Sequence, residues 1–399
     1  MRLRWAGAVL LSAAAYYVYL PLPSAVSEPW KLMLLDALFR ASTNLLQLEQ
    51  SSSLVVSWVE VIEARSCPGV HVSDITLGGV ATRVFQPKGG RKLKRGVIYF
   101  HGGGWALGSG RECQFDFHVR KGNESCCPLV VSCCHSYRLA PEAVFPDQYH
   151  DALAASRAFL SARVLDRYSV DPERLCVSGD SAGGNLAAAV AQELGSDSSA
   201  KVKFKAQALI YPVLQALDFY TPSYQQNQAV PILYRPVMAR FWLQYLGANA
   251  SLEPLLLANN HSSLDQQSIS APTRSKLDWT ALLPAERKRH FRPVIKETGS
   301  PGLVGEVPGL VDVRAAPLLA DEGVLRRTPQ AYVMTCEFDV LRDDGLMYAR
   351  RLQDAGVAVT SDHYEDGFHA CMVFAFLPMW SSVGQRSMDG YIRWLDENL

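Results

Sequence analysis

No net charge separates this chain from neutrality, since 39 basic side chains balance 39 acidic ones. The clustered positive excess of a nucleic-acid binder is therefore missing. Internal repeats, low-complexity tracts and leucine heptads are absent too, which argues against solenoids and coiled coils. Neither G-x-G-x-x-G nor G-x-x-x-x-G-K-[ST] occurs, so no phosphate-cradling loop of those kinds is expected. Nine cysteines show no C-x-x-C spacing, and the pairs Cys126-Cys127 and Cys133-Cys134 do not suit zinc. Neither a metal nor a cofactor is expected. An odd cysteine count leaves at least one thiol unpaired within the chain. What is present is an ordinary globular composition, 399 residues with 48% hydrophobic and 20% charged. That is enough for one large core or two modest ones.

Charge is also missing from Trp5 to Pro23, and the first acid is Glu28. An apolar run of that length can cross a bilayer as a helix. Trp5, Tyr16, Tyr17 and Tyr19 suit the two interfaces, where aromatic rings with a polar tip collect. Arg2 and Arg4 place the short end in the cytosol by the positive-inside rule. The reading is a cytosolic tail at 1–4, a signal-anchor at 5–23 and a lumenal remainder. That makes a single-pass type II protein of the endoplasmic reticulum membrane. A signal peptide cleaved near Ala13-Ala14-Ala15 is the rival, and a buried N-terminal helix is a third reading. Asn123, Asn249 and Asn260 each open an N-glycosylation triplet, in keeping with translocation.

From about residue 70, short β-branched runs alternate with longer amphipathic ones. Strands are expected at Gly96–His101, Leu129–Cys134, Leu175–Ser178, Ala206–Tyr211, Gln330–Thr335 and Val357–Tyr364. Helical patterns fall at Val144–Arg163, Asn185–Leu194, Asp343–Asp354 and Gln385–Glu397. Such alternation predicts an α/β fold, a mainly parallel sheet covered by helices on both faces. Residues 215–322 break it, with scattered proline, serine and charge. A structureless loop that long is improbable in a compact domain, so a helical insertion is expected, including Pro236–Leu246 and Asp278–Arg287. Residues 24–69 read as a helical segment, clearest over Trp30–Arg65. Both would lie over the sheet's carboxyl edge as a cap, with the main domain spanning 70–399.

Two motifs carry chemistry. In LCVSGDSAGGN a strand runs into Gly179-Asp-Ser-Ala-Gly183 and then into an alanine-rich helix. This is the chain's only G-x-S-x-G, and its strand–turn–helix context suits a nucleophile elbow exposing Ser181. An ordinary tight turn is the plainer reading. In IYFHGGGWALG an apolar run stops at His101 and three glycines. Bare backbone N–H groups there could hold the charged oxygen of an acyl-transfer transition state. Gly102, Gly103 and the N–H of Ala182 are the expected oxyanion hole. Gly104 supports the motif, and His101 braces the loop by hydrogen bonding without acting as a base.

His101–Trp105, Tyr137-Arg-Leu-Ala-Pro-Glu142, Gly179–Gly184, Asp339-Val-Leu-Arg-Asp-Asp344 and Asp366-Gly-Phe-His369 follow one another in that order. Together they resemble the hormone-sensitive-lipase branch of the α/β-hydrolases, and in particular the arylacetamide deacetylase group. The resemblance implies an α/β-hydrolase fold with a helical cap and Ser, then Asp or Glu, then His in chain order. It also implies a serine hydrolase acting on small hydrophobic esters or amides. Of the carboxylates Glu337, Asp339, Asp343 and Asp344, the family position selects Asp339. Asp343 and Asp344 are explained by the favourable placement of acids in a helix's first turn. Among nine histidines, His369 matches the family's base, while His363 falls within a strand. Tyr137–Glu142 would support the oxyanion loop through Arg138 and the turn at Pro141, although Ser136 replaces the family's usual aspartate or asparagine. Cys113 would pair with Cys336 if their loops meet. Trp242, Phe241 and Tyr224 are candidate pocket-lining aromatics.

Overall fold

The computed structural model describes residues 12–46, 69–89, 93–110, 130–375 and 381–399. Its eight strands are β1 Val70–Leu77, β2 Val80–Pro87, β3 Lys94–Phe100, β4 Val130–Ser136, β5 Val170–Asp180, β6 Ala206–Ile210, β7 Gln330–Phe338 and β8 Val359–Phe368. They form one sheet in the order β1-β2-β4-β3-β5-β6-β7-β8. From β4 to β8 every neighbouring pair is parallel, while β1–β2 and β2–β4 are antiparallel. The six expected strands are present. The β1–β2 hairpin went unnamed in the strand pattern, although Gly78-Gly79 marks it. Both glycines have positive φ, 61° and 88°, as a two-residue turn between antiparallel strands requires.

Seven helices matter for the site: α1 Pro29–Leu46, α2 Asp147–Phe159, α3 Ala182–Ser196, α4 Pro222–Asn227, α5 Arg235–Tyr245, α6 Arg342–Asp354 and α7 Ser382–Asn398. Alternation along β3 divides the core between two faces. Ile98 and Phe100 join α2 and α3 on one face, and Val97 and Tyr99 join Tyr391, Trp394 and Leu395 of α7 on the other. Burial on both faces is why these strands are apolar without interruption.

Residues 215–322 form helices, but in short pieces. The expected helix at Asp278–Arg287 divides into Trp279–Leu282 and Ala285–Lys288. Pro284 lies between them, where its lack of an N–H ends the first helix. Tyr234, just before α5, donates its hydroxyl to Asp36 Oδ1 at 2.7 Å, tying α1 to this cap. Residues 12–18 are helical, and no described helix is long and apolar enough to cross a membrane. The anchor's first residues, 5–11, lie outside the described residues, as do residues 47–68, Cys113 and Asn123.

Candidate active site

β5 ends at Asp180 and α3 begins at Ala182, leaving Ser181 alone in the turn with φ 52° and ψ −117°. A non-glycine residue held there stores on the order of 1–3 kcal/mol. The neighbours enforce it: Ser181 N–H donates to Ile210 O at 2.9 Å, and its carbonyl accepts from Asn185 N–H at 3.1 Å. The flanking glycines allow the helix to seat this closely. A Cβ on Gly183 would stand 1.9 Å from Phe100 O, and one on Gly179 would stand 2.4 Å from the Gly183 carbonyl.

Three strand ends converge on Ser181. Asp339 follows β7, and His369 follows β8 directly. His369 Nε2 lies 3.1 Å from Ser181 Oγ, and Nδ1 lies 2.7 Å from Asp339 Oδ2. The second carboxylate oxygen accepts Leu341 N–H at 2.8 Å, which fixes the plane of the acid. All three side chains are buried, with Ser181 8%, His369 6% and Asp339 1% exposed. Tyr211 packs its ring 5.0 Å from that of His369. No sequence motif marks Asn227 of α4. Its amide donates to the carbonyls of Glu337 at 2.9 Å and Asp339 at 3.0 Å, bracing the acid's loop from the cap.

The other titratable candidates sit elsewhere. His363 lies in β8, hydrogen-bonded to Thr335 Oγ1 at 2.8 Å and to Glu337 Oε2 at 3.2 Å. His261 is buried in the cap, 2.9 Å from Ala216 O, and burial brings its pKa down to about 4. Asp343 and Asp344 need a stronger explanation than helix polarity, because both are fully buried joints. Asp343 accepts from Ser223 N–H at 2.6 Å and from Arg342 Nε at 2.9 Å. Asp344 accepts from Leu214 N–H at 2.9 Å and Gln215 Nε2 at 3.0 Å. Burial pushes the Asp344 carboxyl up to about 7 against those two donors.

The glycine loop corrects one expected role. Gly102 N–H donates to Asp180 Oδ1 at 2.8 Å, an oxygen that also accepts the Tyr99 hydroxyl at 2.9 Å. Gly102 is thus engaged behind the loop and is not free to meet an oxyanion. The N–H groups of Gly103, Gly104 and Ala182 have no acceptor among the described residues. Ala182 opens α3, where a first-turn N–H has no partner within the helix. Each glycine avoids a different collision: a Cβ at 102 would meet Asp180 Oδ2 at 2.3 Å, at 103 Leu107 O at 2.3 Å, and at 104 the Phe241 ring at 2.4 Å.

His101 braces the loop, with Nδ1 hydrogen-bonded to Gly102 O at 2.7 Å. Burial lowers its pKa to about 4, so it is neutral near pH 7. Support from the Tyr137 motif arrives differently from expectation. The Tyr137 hydroxyl donates to His101 O at 2.9 Å, and the two rings stack at 4.4 Å. Ala140 N–H donates to Trp105 O at 2.8 Å. Arg138 turns away to Asp147 and Asp151 of α2. Ser136 still serves the loop, its hydroxyl accepting Gly110 N–H at 2.9 Å.

Cys336 lies against Cys371, with their sulfurs 3.6 Å apart. Trp242 packs at a tilt against Trp105 in the core, and Tyr224 at a tilt against Phe219; of the three expected pocket aromatics, Phe241 is the one against the glycine loop, at Gly104. Among the described residues no cluster of His, Cys, Asp or Glu could hold a metal. A cavity of about 370 Å³ lies within the cap, and no member of the Ser181–His369–Asp339 relay lines it.

A family model described as an alpha/beta hydrolase fold matches residues 97–273 and 303–373. The chain is 50% identical to neutral cholesterol ester hydrolase 1 of Mus musculus, covering 98% of both chains. It is 41% identical to arylacetamide deacetylase of Bos taurus over the full length of both. Among solved structures, an esterase of Pyrobaculum calidifontis aligns with a TM-score of 0.59 at 26% identity, covering 89% of this chain and 93% of that one.

Proposed function

The chain belongs to the α/β-hydrolase-fold family, and on that premise we propose that it is a serine hydrolase of carboxylic esters or amides with hydrophobic acyl groups. The observation that carries this reading is the continuous relay from Ser181 Oγ through His369 to Asp339. In the first step Ser181 Oγ attacks the acyl carbonyl while its proton passes to His369 Nε2. Asp339 accepts Nδ1–H and stabilises the imidazolium that results. Negative charge on the former carbonyl oxygen is met by the N–H groups of Gly103, Gly104 and Ala182. His369 then protonates the leaving alcohol or amine, giving an acyl-serine. Water, deprotonated by the same imidazole, releases the acid and restores Ser181.

The decisive test pairs a fluorophosphonate probe with Ser181→Ala. Wild type is expected to label at Ser181 and to cleave p-nitrophenyl esters, while the variant does neither. A wild-type protein that ignores the probe under conditions of full folding would sink the reading.

Two relatives bound the substrate. The nearer in identity is named for cholesterol ester hydrolysis and the other for arylacetamide deacetylation. Lipid or sterol-ester hydrolysis is therefore a second reading on the same mechanism. Rates across p-nitrophenyl esters of increasing chain length, set beside an arylacetamide panel, separate the two. The catalytic domain is placed in the lumen of the endoplasmic reticulum by residues 5–23 acting as an uncleaved anchor. Asn249 is exposed and Asn260 half-buried, so Asn249 is the better-presented acceptor of the two. Membrane-bound protein whose mass falls on endoglycosidase treatment supports this topology; an unmodified mass argues against it.

A further inference from the structure

Residues 210–213 close around the backbone of Ser181 and carry one aromatic ring to its histidine. Ser181 N–H donates to Ile210 O at 2.9 Å, and Val213 N–H donates to Ser181 O at 3.4 Å. Between those two contacts sits Tyr211, whose own N–H donates to Met334 O of β7 at 2.9 Å. Its side chain is 1% exposed. Its ring centroid lies 5.0 Å from that of His369, with the two planes inclined at 59°. The backbone of the nucleophile and the ring of the base are thus joined through a single residue.

Packing alone does not account for this residue. Tyr211 has φ 34°, a left-handed conformation in which a Cβ is strained and glycine is the ordinary occupant. Met334, Cys336 and Phe338 belong to the same core cluster, and they reach it from the ordinary strand backbone of β7. A side chain kept on strained backbone points to a use for its position. On the serine-hydrolase reading, the ring meets the one group of the site that becomes a cation, because His369 takes the Ser181 proton and turns into imidazolium. The charges set against that imidazolium are Asp339, which accepts at Nδ1, and Asp180 at the end of β5, which acts through space. The Tyr211 ring adds a third influence of a different kind. Its centroid lies within the distance of about 6 Å at which an aromatic π cloud attracts a cation.

We propose that Tyr211 is a positioning residue for His369: its ring fixes the imidazole beside Ser181 Oγ and favours the imidazolium formed during attack. The inference rests on the serine-hydrolase reading and adds a fourth group to the Ser181–His369–Asp339 relay. The ring supplies the attraction and the hydroxyl does not, so phenylalanine serves in its place and an aliphatic side chain does not.

The test is the rate at which a fluorophosphonate probe labels Ser181 across pH, measured on the full chain in detergent beside p-nitrophenyl ester hydrolysis. Tyr211→Met keeps an adaptable apolar side chain in the space. It should lower both plateau rates about tenfold and move the acid limb about one pH unit lower, since the proton on His369 is then held less firmly. The loss in hydrolysis should fall on kcat rather than on KM. Tyr211→Leu, a second aliphatic variant, should behave in the same way, and Tyr211→Phe should keep the wild-type plateau and limb. Tyr332→Leu removes a buried ring from the same core, against Tyr391 and Trp394 of α7. It should lower the thermal midpoint and leave the acid limb in place. Thermal midpoints also establish which Tyr211 variants are folded. Failure of wild type to label overturns the hydrolase reading and this inference with it. Normal labelling with an unmoved acid limb in a folded aliphatic variant, or the same displacement in Tyr332→Leu, overturns this inference alone.

Discussion

Around Ser181 the chain is positioned by backbone: a strand end, a strained turn, a helix start, and glycines against which no Cβ fits. In the cap, from residue 215 to 322, the longest helix is α5 with 11 residues, and several have only four or five. Side chains do the positioning there. Asn227 holds the carbonyls of Glu337 and Asp339, Ser223 bonds Val340 O and Asp343, Gln215 bonds Asp344, and Arg287 pairs with Glu337. Every one of these contacts lands between Glu337 and Asp344, the stretch that carries Asp339, the carboxylate partner of His369. Short helices are marginal alone, so the cap depends on that joint for its place. In turn the acid depends on the cap for its bracing.

The largest effect should come from the chemistry itself. Asp339→Asn keeps the shape of the side chain but presents the wrong tautomeric partner to His369, and kcat is expected to fall about 10⁴-fold. Steady-state kinetics with a thermal melt checks it, since the fold should remain. Next is the backbone half. Gly183→Ala forces a carbon to within 1.9 Å of Phe100 O, where no rotamer offers escape. A loss of at least about 3 kcal/mol in denaturant unfolding is expected. A variant as stable as wild type would show that the elbow tolerates movement and is not fixed by its backbone.

That contrast also governs what could be read from sequence. The elbow, the glycine loop and six strands announce themselves through local spacing, because strand–turn–helix geometry constrains neighbours in the chain. Ser181, Asp339 and His369 could be selected from motif and order, and the structure brings them together. Gly102 could not be resolved that way. Its donor is claimed by Asp180, 78 positions away, and nothing local distinguishes it from Gly103 or Gly104. Asn227 is invisible for the same reason, being one polar residue in a polar helix whose partners lie more than 100 positions off. Asp343 and Asp344 look like first-turn acids until their buried partners are seen. The β1–β2 hairpin was legible after all, through Gly78-Gly79 between two β-branched runs.

Asn227→Ala tests the side-chain half at smaller scale. It leaves two buried carbonyls without their donor, a cost of about 1–3 kcal/mol, and loosens the acid's loop without touching the substrate. Activity is expected to drop about tenfold, mainly in kcat. The pH profile should change shape as well, because His369 would lose a fixed carboxylate partner. A purely structural role would lower the melting temperature and leave that profile unmoved.

The mildest effects should appear as slopes of stability against pH, and the joint contains two carboxyls that act in opposite directions. For Glu337, burial by itself would raise the pKa. Hydrogen bonding with His363 and the charges of Arg342 and Arg287 outweigh it, bringing the group from 4.5 to about 2. Its contribution to folding is therefore present above 4.5 and is lost as pH falls toward 2. For Asp344 burial dominates, raising the group from 3.8 to about 7. Between those values the folded chain retains a proton that the unfolded chain has released, so stability falls as pH rises, by at most about 1.4 kcal/mol per pH unit. The two windows barely overlap. Urea midpoints measured across pH should lose the acid-side slope in Glu337→Gln and the slope between pH 4 and 7 in Asp344→Asn. Should Asp344→Asn leave its window unchanged, the Leu214 and Gln215 donors must already hold that carboxylate ionised. The cap would then be fastened by a charge rather than by a shared proton.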